Sequence, residues 1–305
     1  MALARASAAE QARTGAQTSG VTDGARIRRS LLRRIVAHPR LTLGTVLIAL
    51  VTIVAIVAPV IAPHDPDEQI IQLRLAHPGS EYLLGGDHLG RDVFSRLIYA
   101  GRISLAVALP SMAISVVVGV IVGALAGFYG GWADRLLMRL TDIVLVFPTF
   151  FLLILAVATF GRSLGLLIAM IGLTAWPTNA RVVRALVTNL RNHDFIVAAR
   201  VAGARDARIV SRHLVPQLIP VVIASATIRV ANNILVESGL SYLNLGVSPP
   251  TPTWGNMIAD GADWFRQAWW LVVAPGAALM LVVLAFNLAG EGLRDLLDPR
   301  QGRRR

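Results

Sequence analysis

A hydrolase needs a nucleophile beside a base, and a metalloenzyme needs a cluster of ligands, so histidines, cysteines, serines and lysines are weighed first. His38, His64, His77, His88, His193 and His213 never form an HExxH pair and all lie outside the long apolar runs, so no zinc site is expected. The chain has no cysteine, which excludes disulfides and thiolate metal ligands alike. Ser238-Gly239 belongs to no G-x-S-x-G elbow and has no intramembrane histidine as base. A phosphate loop ends in Lys followed by Ser or Thr, and this chain has no lysine, so it is not itself an ATPase. The expectation is no catalytic residue, no metal and no cofactor.

Two polar groups sit inside or beside apolar runs, where a charge must be paired or turned toward protein or water. Arg139 and Asp142 are three residues apart, share a helix face and are expected to pair at the membrane boundary. Arg229, Asn233 and Glu237 lie four apart on one stripe that must turn away from lipid, toward a partner subunit or a translocation path. Contact with solute and hydrogen bonding to a neighbouring helix both fit that stripe.

The elements that hold these residues are membrane helices. Of 305 residues, 55% are hydrophobic and only 15% charged, outside the range of ordinary soluble domains. The net charge of +11 does not indicate nucleic-acid binding, because a DNA-binding domain would not carry several long uncharged apolar runs. Runs of helix-spanning length predict six spans near 41–63, 103–127, 136–160, 164–183, 217–240 and 270–290. The division is a basic tail (1–40), a first transmembrane helix (41–63), an extracytoplasmic loop (64–102), a core (103–293) with its loop at 184–216, and a C-terminal tail (294–305). Arginines gather before the first span, between 181 and 212, and at Arg303, Arg304 and Arg305. By the positive-inside rule these segments and both termini face the cytoplasm. Trp254, Trp264, Trp269 and Trp270 flank the last span, where indole rings would anchor at the water–lipid boundary. Gly119, Gly123 and Gly127, spaced four apart, leave one helix face bare for close helix packing. Pro110, Pro148, Pro177 and Pro275 fall in or beside apolar runs and favour kinks.

Between spans four and five, residues 195–220 form a basic helical segment too poor in apolar residues to cross a membrane. Gly203 is expected to break it into two short helices, the second opened by Asp206, an acid suited to a helix N-terminus. Small Ala198 and Ala199 precede the bend, so another protein's surface can approach the backbone there. The segment resembles the EAA loop of ABC importer permeases: Glu-Ala-Ala, three residues, Gly, nine residues, then Ile-x-Leu-Pro. Here Val197-Ala198-Ala199, Gly203 and His213-Leu214-Val215-Pro216 stand at that spacing, with departures at Val197, His213 and Val215. The stretches 84–105 (LGGDHLGRDVFSRLIYAGRISL), 128–148 (FYGGWADRLLMRLTDIVLVFP) and 236–257 (VESGLSYLNLGVSPPTPTWGNM) are similar to the dipeptide, oligopeptide and nickel permease group, the last to its C-type subunit.

That resemblance implies an all-α integral membrane protein with the type I importer fold, one permease of a bacterial inner-membrane complex. It also implies a B-type second permease, two ABC ATPase subunits and an extracytoplasmic solute-binding protein. Val197, Ala198, Ala199, Arg200, Gly203, Ala204, Asp206 and Pro216 would form the loop that couples to an ATPase. Peptides are the leading solute, with nickel or another small solute as the alternative. A secondary transporter is the rival from a different class, but such transporters show internal repeats, and none is visible here.

Overall fold

A computed structural model describes residues 38–79 and 81–297. The expected tails lie largely outside them, including Arg26, Arg28, Arg29, Arg33 and Arg34 and the closing arginines. The protein is helical: α1 (Pro39–Ile61), α2 (Val93–Tyr129), α3 (Gly131–Val146), α4 (Thr149–Phe160), α5 (Leu164–Leu190), α6 (Asp194–Val201), α7 (Asp206–Tyr242), α8 (Trp254–Ala262) and α9 (Trp270–Leu297). Among the described residues the sole β-type pairing is an isolated Gly86–Asp92 bridge. Helices α1, α2, α5, α7 and α9 are long and apolar enough to cross a membrane, and the bent pair α3–α4 makes up to a sixth span.

Helices α2 and α5 form the main axis of the bundle. A Cβ at Gly119 would stand 2.5 Å from Asn179 Cβ, one at Gly123 2.5 Å from the Ala180 carbonyl, and one at Gly127 2.8 Å from the Arg184 carbonyl. The bare stripe therefore lets two backbones meet, which in lipid replaces the missing hydrophobic drive with dispersion contact. Gly123→Val forces side-chain atoms onto that carbonyl and is expected to cost at least about 1–3 kcal/mol. Heating before size-exclusion chromatography checks this, and an unchanged melting curve contradicts it.

Three features depart from the sequence expectations. The third span is not one rod: α3 and α4 meet at 79° across Phe147-Pro148. Proline disfavours helical backbone in the residue before it, and Phe147 is extended (φ −80°, ψ 127°). Pro110, Pro177 and Pro275, by contrast, lie inside uninterrupted helices. Second, α2 begins at Val93, so the last part of the expected loop 64–102 is helical. Asp92 caps it, accepting hydrogen bonds from the Phe94 and Ser95 amides at 3.2 and 3.0 Å. Third, Trp254 and Trp270 are core residues, each 2% exposed, rather than boundary anchors. Their indole N–H groups donate to the Leu97 and Gly86 carbonyls, which removes the penalty of burying them.

Candidate functional site: the EAA-like loop and the polar membrane interior

Leu190 ends α5, and after a short turn α6 carries Val197, Ala198, Ala199 and Arg200. The chain then turns through Gly203, whose φ of +78° lies in the left-handed region that favours glycine. A Cβ there would meet nothing within 4 Å, so Gly203 serves the turn's conformation rather than a close contact inside the chain. The Ala204 amide closes the turn on the Ala199 carbonyl at 3.0 Å. Asp206 opens α7, as its position near a helix N-terminus predicted.

The second half of the loop is not a separate short helix. It runs from Asp206 as α-helix, passes through a π-helical turn at Val210–Leu214 and continues from Val215 into the span that ends at Tyr242. The loop is thereby welded to a membrane helix. Pro216 sits in the first turn after this π segment and has no N–H to donate, so one backbone hydrogen bond is missing near the join.

One side of this unit is a seat and the other a crest. Ile196, Ile209 and Leu214 are fully buried and pack with Ala124, Phe128, Val183 and Val187 of α2 and α5. Arg200 lies over the Phe128 ring, 5.8 Å from its centroid. On the outer side Val197 is 51% and Val201 84% exposed, beside exposed Ala198 and Ala202. Arg191 ties the base of the loop to the end of α2 by donating to the Gly127 carbonyl at 3.1 Å.

The polar stripe on α7 is divided. Glu237 has no exposed surface: its carboxylate accepts from Ser241 Oγ at 2.7 Å and Ser104 Oγ at 2.9 Å. Asn233 is likewise turned to α2, its amide donating to the Ala108 carbonyl at 3.4 Å. Arg229 alone is left half-buried, with its Nε lacking a hydrogen-bond partner. Asp142 pairs with Arg181 at 2.6 Å rather than with Arg139, and Arg184 binds Asp134 bidentately at 2.5 and 2.6 Å. These pairs bind α3 to α5 on the side bearing the basic loop.

An ion-pair knot on the opposite side was not legible in the sequence, although Asp87, Arg91 and Arg96 all lie in the stretch 84–105. Asp87 is held between Arg91 Nε at 2.5 Å and Arg96 Nε at 3.8 Å, and Arg91 also reaches Asp260 at 3.6 Å. Arg96 donates to the Pro66 carbonyl at 2.9 Å and pairs with Asp67 at 3.3 Å. Tyr82 packs here, its hydroxyl donating to the Gly90 carbonyl; burial and then the nearby Asp92 carboxylate push its pKa above the ordinary tyrosine value. Among the described residues no group of three or more potential metal ligands occurs.

Comparison with known proteins matches this arrangement to transport permeases. Residues 119–303 match the family "binding-protein-dependent transport system inner membrane component", and residues 28–78 the "N-terminal TM domain of oligopeptide transport permease C". The chain is 41% identical over 271 residues to the di/tripeptide transport system permease protein DppC of Pseudomonas aeruginosa (strain UCBPP-PA14), covering 87% of this chain and 89% of that protein. It is 37% identical over 264 residues to the dipeptide transport system permease protein DppC of Haemophilus influenzae (strain ATCC 51907 / DSM 11121 / KW20 / Rd), covering 85% and 90% respectively. A solved structure of the MetNI methionine ABC transporter in inward-facing conformations shares the fold, with a TM-score of 0.53 and 21% identity over 67% of this chain and 97% of that one. The chain therefore belongs to the binding-protein-dependent transport system inner membrane component family, as a multi-pass permease of the peptide group of ABC importers.

Proposed function

We propose that this chain imports peptides as the C-type half of a heteromeric permease, paired with a B-type subunit, two ABC ATPases and an extracytoplasmic solute-binding protein. The observation that carries the reading is the loop's construction: an exposed apolar crest at Val197 and Val201, seated on fully buried Ile196, Ile209 and Leu214 and continuous with a membrane helix. A crest of that kind suits a cleft in another protein, and the continuous helix suits transmission of a rigid-body movement. Val197, Ala198, Ala199, Arg200, Gly203, Ala204, Asp206 and Pro216 form this coupling unit. The loop and both termini face the cytoplasm, and the Asp87 knot faces outside. The peptide relatives support a peptide solute over nickel.

Val201→Asp tests the reading with little effect on the isolated chain, because the position is 84% exposed. Co-expression of the complex followed by pull-down is expected to recover a Walker-motif ATPase with the wild type and at least tenfold less with the variant. Solute uptake by the purified chain alone, driven by an ion gradient, would instead establish a secondary transporter.

A further inference from the structure

Arg229 stands midway along the membrane-spanning part of α7, and among the described residues its Nε has no hydrogen-bond partner and no carboxylate pairs with it. The nearest acid on the same stripe, Glu237, is already engaged by Ser104 and Ser241. No described residue supplies the charge that complements Arg229, and a lone guanidinium in a membrane interior carries a large desolvation cost, so a visiting anion would be stabilised there. Asn232, three residues on and exposed, extends a polar strip from Arg229 along the same side of the helix. That side continues through Val236 to Gly239, where a Cβ would stand 3.1 Å from Phe150, the second residue of α4. The strip thus runs from the middle of the membrane toward the broken turn between α3 and α4, whose residues from Leu145 to Phe150 are exposed.

We propose that Arg229, assisted by Asn232, is a transient receptor for the C-terminal carboxylate of the peptide during translocation. This rests on the reading of the chain as a peptide permease. A free peptide always carries that carboxylate whatever its side chains, so one fixed cation in the path serves a solute class of varied sequence. A guanidinium presents parallel donors that match a carboxylate, and the Asn232 amide offers a further donor.

The test uses the complete complex in proteoliposomes with saturating binding protein, ATP and labelled trialanine, whose only anionic group is its terminal carboxylate. Arg229→Gln is expected to lower the uptake rate at least tenfold and Arg229→Glu further, while Arg229→Lys recovers most of it. Subunit composition and basal ATP hydrolysis are expected to match the wild type in all three. Wild-type uptake by Arg229→Gln overturns the proposal, as does failure of the lysine variant to recover activity. Loss of the second permease from purified Arg229→Gln also overturns it, by showing that a partner's carboxylate is the natural counter-charge. If the wild type itself carries no peptide, the peptide reading fails, which the unsubstituted complex reveals before any variant is compared.

Discussion

Replacing Asp87 by alanine is expected to destabilise the protein by about 3–5 kcal/mol, because it removes the carboxylate between two buried guanidinium groups. The side chains of Asp87, Arg91 and Arg96 are only 9%, 6% and 3% exposed, so water cannot take over the lost role. For counter-charge among the described residues, Arg91 would be left with Asp260 and Arg96 with Asp67, both partly exposed acids. Asp87 also accepts the Leu89 and Arg91 amides at 2.8 and 3.0 Å, so its loss opens the turn that leads into α2. Tryptophan fluorescence is a direct readout: Trp264 stacks on His88 and the Trp270 indole donates to Gly86, both beside Asp87. A melting temperature lower by roughly 10 °C is expected. Combining Asp87→Ala with Arg91→Met should restore part of the loss, since an unpaired buried charge costs more than an absent pair. A wild-type melting curve for Asp87→Ala contradicts the account.

The knot shows what kind of information the sequence withholds. Apolar runs long enough to span a membrane are local, so the helical bundle was legible, and the spacing of Gly119, Gly123 and Gly127 showed a bare helix face without naming α5 as its neighbour. The bend at Gly203 was equally readable, because few other residues accept a φ of +78°. Pairings such as Arg96–Asp67 and Arg91–Asp260 depend on how separate segments are packed, and no periodicity reports that. The same limit explains the prolines. Four carried the same local signal, yet only Pro148 coincides with a break between helices, where the extended Phe147 precedes it and α3 is tied to α5 through Asp134–Arg184 and Asp142–Arg181.

The tryptophans were misread because a residue type was assigned the role it plays most often at that depth. Tryptophans at the end of a span usually meet the boundary, but Trp254 and Trp270 found carbonyl acceptors inside the protein. The α7 stripe was read correctly as a set of residues on one helical side, while the number of neighbours along that side was invisible. Helix α2 covers Asn233 and Glu237 and supplies Ala108 and Ser104 to satisfy them; its coverage stops short of Arg229. What the sequence called one surface is therefore two environments.

Ile209→Ala is expected to separate ATPase binding from transport. Ile209 is fully buried where α7 leaves the loop, and it contributes to the same cluster as Ile196, Leu214, Val183 and Val187. Truncating it removes packing worth about 2–5 kcal/mol and leaves a cavity under the loop, while the crest of Val197 and Val201 is untouched. If the loop works as a stiff lever, a looser seat lets the ATPase move the crest without moving α2 and α5. The expected result is wild-type recovery of the ATPase in a pull-down, retained ATP hydrolysis and peptide uptake reduced at least tenfold. Val201→Asp has the opposite signature, losing the ATPase from an intact chain. The contrast distinguishes a lever from a mere attachment point: a loop that only tethers the ATPase would leave uptake proportional to the ATPase bound, and Ile209→Ala would then transport as the wild type does. Reduced uptake with full ATPase occupancy places the loss in the contact between the loop and the bundle, where the π-helical turn and the buried isoleucines join one moving part to the other.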